Sequence, residues 1–427
     1  MTGRFARRLA ILLVLLVSGV TAFFVYYHPP MRLMLPPLLF QDPDLPLADL
    51  SPALREGAAI DVFFASNRLP VGPRGDRIYT VAPDTRLHLG RAFMRIGGDD
   101  ATLDQIRDWT TGADHGDRPF IHLERMVEQA TLEQSDHSGA LPRDVAEWIE
   151  AINAQLATSR HKDILVYVHG ANTTVERAAG QASQLRHFTG RNAVVVVFVW
   201  PTAENFLRYG RDVTNSYASG PRLADLIRLL AQGTDARAID VFTYSAGGTV
   251  GSVGLAHLGT EIPAAAARLG NVYHAAPDAD FRGFVNDLQA YASHADRVTT
   301  AVNLGDSALR LAQAVNRASR AGRPDLRELD PDAVEWLLEA SQRLGIDVLQ
   351  IHPETMPDMP ASSHTFWYDD PWVSNDLLLL LIFGLLPEER ALVAGAISTG
   401  SRYWTFPPDY LDRMPALRDT ILARRAP

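Results

Sequence analysis

Three short runs constrain this chain more than any other feature: Asp163–Val168 (D-I-L-V-Y-V), Ala193–Val199 (A-V-V-V-V-F-V) and Asp240–Tyr244 (D-V-F-T-Y). Each is rich in β-branched and aromatic residues, and apolar at consecutive positions. A strand with that pattern has both faces covered, as in a parallel sheet between two layers of helices. The segments between the runs carry the helical period instead. Asp144–Ser159 puts Val145, Trp148, Ile149, Ile152 and Leu156 on one face, and Thr174–Phe188 and Ser216–Ala231 read as helices too. The alternation continues with strands at Asn271–Ala276, Arg297–Asn303 and Ile346–Ile351. It predicts an α/β fold with a mostly parallel sheet, helices on both faces and right-handed crossovers, which gather the loops at the strands' carboxyl ends.

The remaining segments are read more simply. Ala59–Ala65 and Leu87–Ile96 are earlier strand candidates, while Pro70–Gly75 and Gly97–Gly116 read as loops. Leu377–Leu386 is apolar throughout but too short to span a bilayer, so a buried helix is expected within Trp372–Leu386. An amphipathic helix is expected from Pro408 onward. The 427 residues suit one large decorated domain or two ordinary ones, and 47% hydrophobic with 21% charged residues is a globular composition. A net charge of −10 excludes a nucleic-acid surface, and the absence of cysteine excludes disulfides, thiol nucleophiles and thiolate metal sites.

The N-terminus carries an address. Residues 1–8 are basic through Arg4, Arg7 and Arg8, and an uncharged run follows over 9–27. As a helix it measures roughly 28 Å, enough to cross a bilayer. The arginines keep the short end cytoplasmic, which sends the remainder across an inner membrane to the periplasm. The alternative is a signal peptide cleaved after Val20-Thr21-Ala22, which releases a periplasmic or secreted protein. Residues 28–50 are proline-rich and read as an extended linker, 51–390 as the main domain, and 391–427 as a C-terminal extension.

The third apolar run leads into Ser245-Ala246-Gly247-Gly248. A serine between a buried strand and a helix, with small residues around it, has the form of a nucleophile elbow. The turn holds the hydroxyl at the strand's carboxyl end, and the helix N-terminus faces any developing negative charge. Such a serine needs a base, an acid to orient the base, and two N–H donors for an oxyanion. Among histidines after Ser245, His364 lies in a Ser-Ser-His-Thr loop beyond the last strand, with His352 as the alternative. Asp306 follows the strand Arg297–Asn303, with Asp278 and Asp280 as alternatives; Asp306 and Asp278 each have a second reading as a helix cap. Ala246 N–H is the first oxyanion donor. The second is expected from the His169-Gly170-Ala171 loop, where His169 reads as a structural brace. Gly247, Gly251 and Gly254 share one face of the following helix, which lets it pack close to the sheet.

With these pieces in place the chain resembles the bacterial esterase/lipase-like α/β-hydrolases formerly classed as a domain of unknown function. The resemblance rests on V-F-F-A-S-N-R (Val62–Arg68), L-V-Y-V-H-G-A-N (Leu165–Asn172), V-F-V-W-P-T (Val197–Thr202) with Tyr209 and Asp212, the elbow, A-A-P-D-A-D (Ala275–Asp280), N-L-G-D-S-A-L (Asn303–Leu309), and Ser363-His364 followed by Asn375-Asp376-Leu377. It spans about residues 60 to 385 and implies an α/β-hydrolase fold with Ser245, Asp306 and His364 as the triad. It departs at the elbow, where the family commonly has a small residue, histidine, serine, methionine and glycine. Thr243, Tyr244 and Ala246 replace the first, second and fourth of these, and Thr243 is expected to crowd the turn. The resulting expectation is a serine hydrolase that cleaves small-molecule or lipid carboxylic esters through an acyl-enzyme, with no metal or organic cofactor and with the N-terminal helix in the membrane. Two alternatives stand beside it: a weak or inactive hydrolase fold that binds or scaffolds at the membrane, and an acyltransferase.

Overall fold

In a computed structural model the three apolar runs are strands with every residue buried. The structure describes residues 29–42, 44, 57–112, 116, 118–133, 141–396 and 402–425, with seven isolated positions between 7 and 19. The described strands are β1 (Ala59–Val71), β2 (Ile78–Ile96), β3 (Ile121–Leu132), β4 (Ile164–Val168), β5 (Val194–Val199), β6 (Ile239–Tyr244), β7 (Leu269–Ala275), β8 (Arg297–Val302), β9 (Ile346–Gln350), β10 (Val393–Ala396) and β11 (Arg402–Thr405). They form one sheet in the order β10-β11-β9-β8-β7-β6-β4-β5-β1-β2-β3. The run from β1 to β9 across the centre is parallel, while β2, β3 and β10 pair antiparallel at the two margins.

Period two divides the strand residues between two cores. Ile164, Val166, Val194, Val196, Phe198 and Val241 face one side, against helices Arg143–Thr158, Tyr209–Gly233 and Gly247–Glu261. Leu165, Tyr167, Val195, Val197 and Phe242 face the other, against helices Val175–His187 and Pro371–Phe383. Each fully buried apolar side chain contributes about 1.5–3 kcal/mol through removal from water, which explains why apolar residues dominate these strands. Helix Pro371–Phe383 is the buried helix expected from its apolar run, and its Leu377, Leu379 and Leu380 are inaccessible to solvent.

Four segments depart from the sequence reading. Residues 28–50 read as an extended linker, yet Leu33, Met34, Leu39 and Phe40 are buried on the domain. Leu33 N–H donates to Pro119 O at 2.9 Å, Met34 N–H to Gln184 Oε1 at 3.1 Å and Leu39 N–H to Asn375 Oδ1 at 2.9 Å. The apolar side chains between the prolines gain more by covering the domain than by facing water. Residues 97–116, read as a loop, contain helix Leu103–Thr111, nucleated by a reciprocal capping box between Thr102 and Gln105. Strand β3 escaped notice because its half-exposed positions are charged and polar. Finally, the segment set apart as a C-terminal extension supplies β10 and β11, so it continues the same sheet. The expected anchor at 9–27 lies almost wholly outside the described residues; among those described, no helix is long and apolar enough to cross a membrane.

Candidate active site

Strand β6 ends at Tyr244, and Ser245 takes φ 53°, a left-handed conformation that a side chain adopts only under constraint. The constraint is visible. Ser245 N–H donates to Ala275 O at 3.0 Å, and Ser245 O accepts from Gly248 N–H and Asp278 N–H, both at 2.8 Å. A Cβ at Gly247 would stand 2.5 Å from Val168 O and 2.6 Å from His169 O, so only glycine lets the helix start this close to β4. Gly251 serves the same purpose against β6, where a Cβ would meet Thr243 Cγ2 at 2.5 Å. Gly254 instead faces helix Tyr209–Gly233, with Gly220 O at 2.7 Å from a would-be Cβ, so the shared glycine face packs only partly on the sheet.

Thr243 therefore does not crowd the turn. Its methyl occupies the space that Gly251 leaves open, and its hydroxyl lies 2.7 Å from His274 Nδ1, whose Nε2 is 2.9 Å from Tyr291 OH. Burial pulls the His274 pKa down to about 3, so the ring is neutral and uses one nitrogen as donor and one as acceptor. Thr243→Val keeps the shape and strands that nitrogen in a dry site. A stability loss of about 1–3 kcal/mol is expected in urea denaturation.

Ser245, His364 and Asp306 come together. His364 Nε2 lies 2.9 Å from Ser245 Oγ and His364 Nδ1 2.6 Å from Asp306 Oδ2. Asp306 is wholly buried, whereas the His364 side chain is 17% exposed, enough for contact with an incoming molecule. An ionised carboxylate only accepts, so Nδ1 carries the proton and Nε2 is left to accept the serine O–H. Asp306 also caps helix Ser307–Asn316, with Oδ1 accepting from Leu309 N–H at 2.9 Å. The helix cap and the contact with the His364 ring thus fall on separate oxygens. The Tyr244 ring, 5.3 Å from that of His364, packs beside the imidazole.

The N–H groups of Ala171 and Ala246 make no hydrogen bond among the described residues. Ala246 directly precedes helix Gly247–Glu261, and a Cβ on Gly170 would lie 3.0 Å from Ser245 Cβ, so the two loops nearly touch. Asn172, next to Ala171, is held at φ 51° by its N–H donating to Asp212 Oδ2 at 2.9 Å; Asp212 Oδ1 accepts from Ala203 N–H at 2.6 Å. His169 is the brace expected. Its ring stacks on Trp200 at 5.4 Å, its carbonyl accepts from Trp200 Nε1 at 2.7 Å, and burial lowers its pKa to about 3.

The alternative candidates are occupied elsewhere. Asp278 Oδ1 accepts from Arg320 Nε and its Oδ2 from Tyr209 OH, both at 2.6 Å. Asp280 caps helix Phe281–Tyr291 through Gly283 N–H. His352 pairs with Glu354 at 3.0 Å. Two positioning residues went unassigned from sequence, although both lie in the N-L-G-D motif. Asn303 Nδ2 donates to Ser363 O at 2.7 Å, tying the histidine loop to the acid loop. At Gly305 a Cβ would meet Ala361 O at 2.3 Å, so glycine permits their close approach.

Comparison with known proteins gives two kinds of match. Residues 145–377 match a family model described as an alpha/beta hydrolase of unknown function, DUF900. Among solved structures, the apo form of Thermogutta terrifontis esterase 2 is similar at 14% identity over 54% of this chain and 86% of the esterase, with a TM-score of 0.31. A Lactobacillus plantarum protein assigned as a cell surface hydrolase is similar at 12% identity over 55% of this chain and 96% of its own, with a TM-score of 0.31. Among curated proteins none matches.

Proposed function

Since the chain belongs to the DUF900 family of α/β-hydrolases, we propose that it is a serine hydrolase of carboxylic esters, with Ser245, His364 and Asp306 as its triad. The observation that carries this reading is the unbroken chain of contacts from Ser245 Oγ through His364 to Asp306, at 2.9 and 2.6 Å. Ser245 Oγ attacks the ester carbonyl as His364 Nε2 takes its proton. Asp306 keeps the ring oriented and stabilises the imidazolium. The carbonyl oxygen gains negative charge beside the Ala246 and Ala171 N–H groups and the N-terminus of helix Gly247–Glu261. Collapse breaks the C–O bond and expels the alcohol, which leaves with the proton from His364. Water then attacks the acyl-Ser245 ester by the same route and frees the acid. In this reading the N-terminal stretch 9–27 anchors the protein in the inner membrane, and the domain works on the periplasmic side.

A fluorophosphonate probe tests the proposal. The wild type is expected to be labelled, and Ser245→Ala to stay unlabelled at an unchanged circular dichroism spectrum. An unlabelled wild type with an intact fold would favour a binding or scaffold role instead.

A further inference from the structure

At the end of the sheet opposite Ser245, the starts of β4 and β6 lie side by side, with Ile164 paired to Ile239 and Leu165 to Asp240. His161 and Asp163 lead into β4, and Asp240 is the second residue of β6. One donor atom from each of the three lies within 4.8 Å of the other two. His161 Nε2 is 3.6 Å from Asp163 Oδ2 and 3.8 Å from Asp240 Oδ2. Asp240 is 1% exposed. Its Oδ1 accepts from Asn271 N–H at 2.6 Å, but its Oδ2, turned toward His161, has no hydrogen-bond partner. A buried carboxylate oxygen without a donor is costly, and a bound cation relieves that cost.

We propose that His161 Nε2, Asp163 Oδ2 and Asp240 Oδ2 form a binding site for a divalent transition cation of the zinc type. One imidazole nitrogen with two carboxylate oxygens is a donor set that zinc accepts. Calcium demands six to eight oxygens, which three side chains do not provide. A cavity of 350 Å³ opens beside the cluster, lined by His161, Asp163 and Asn271 and also by Arg160, Lys162 and Arg237, and it gives water access to the three donors. Arg237 is the competitor. Its Nε donates to Asp163 Oδ1 at 2.9 Å and its Nη2 contacts Oδ2, while Ala238 N–H donates to Oδ1 at 3.1 Å. The Arg237 side chain is 76% exposed, so it can keep Oδ1 while Oδ2 turns to the metal. Asp240 Oδ2 has no guanidinium to displace; its neighbour is the His161 ring itself, at 3.8 Å. The ion would tie together the starts of two central strands, a structural role separate from ester cleavage.

The test uses the purified chain, stripped with a chelator and titrated with Zn²⁺ by calorimetry and thermal unfolding. One equivalent is expected to bind saturably and to raise the Tm. Asp240→Asn, which keeps size and fold, is expected to weaken binding at least about tenfold, and His161→Gln likewise. His364→Gln is expected to bind as wild type does, which separates this site from the catalytic imidazole. No saturable binding to the wild type, or equal binding to Asp240→Asn and His161→Gln, overturns the proposal. Should both variants fail to fold, the Co²⁺ spectrum of the wild type decides. Intense bands of a four- or five-coordinate ion support the site, and the weak bands of hydrated Co²⁺ overturn it.

Discussion

Asp306→Asn is expected to lower kcat for a short-chain nitrophenyl ester by about 10⁴-fold, the scale for a catalytic histidine left in the wrong tautomer, with little loss of stability. The two oxygens of Asp306 do different work, so the exchange separates them. Oδ1 caps helix Ser307–Asn316 through Leu309 N–H, and asparagine caps a helix about as well as aspartate. Oδ2 accepts from His364 Nδ1 at 2.6 Å. An amide N–H there can only donate, so it pushes the ring proton to Nε2, and the nitrogen facing Ser245 then has no lone pair to offer. Asp278→Asn gives the contrast. Its carboxylate is paired with Arg320 and Tyr209, so this variant is expected to lose stability but to keep turnover within about tenfold. The opposite ranking of the two variants would refute Asp306 as the acid.

Arg68→Met is expected to cost about 3–5 kcal/mol of stability, read from the urea midpoint, because it removes one partner from a buried network. The guanidinium is inaccessible to solvent and spreads its donors over the two loops that follow β4 and β5 at the carboxyl edge of the sheet. Nε donates to Trp200 O at 2.9 Å, and Nη2 to Thr173 O at 2.9 Å and Thr202 Oγ1 at 3.0 Å, while Nη1 pairs with Glu204. Methionine fills the volume but removes one donor each from Trp200 O, Thr173 O, Thr202 Oγ1 and the Glu204 carboxylate. Arg68→Lys restores the charge without the planar fork, so an intermediate loss is expected. Since Thr173 belongs to the same loop as Ala171, both changes should also lower kcat more than KM rises. A midpoint unchanged in Arg68→Met would rule out this bracing role.

Arg68 also shows how unevenly sequence and structure divide the information. As one residue of a motif, it marks the family resemblance without revealing its job. Only the folded loops show that a single buried cation ties the ends of β1, β4 and β5 together. Thr243 is the sharper case. Read along the chain, it intrudes on a turn that needs small residues. In three dimensions Gly251, eight residues later and one strand–helix packing distance away, makes room for it. Residues 31–40 mislead for a related reason. Proline spacing signals an extended chain, but residues 38–41 turn into a short helix and the apolar side chains between the prolines are buried on the domain.

The central architecture was legible because it follows from local physics. Strands buried on both faces must be predominantly apolar, helices must repeat every three to four residues, and a tight strand-to-helix turn needs glycine. These rules by themselves determined the parallel core, the serine at the end of β6, and the set of acids and histidines that could serve it. Only the tertiary structure shows which of them meet at Ser245. That Asp278 is paired elsewhere depends on where Arg320 and Tyr209 lie, and that His364 and not His352 reaches Ser245 depends on how Asn303 and Gly305 draw residues 361–364 to the elbow. Those are long-range contacts, set by packing between segments far apart in the chain, and no local pattern encodes them.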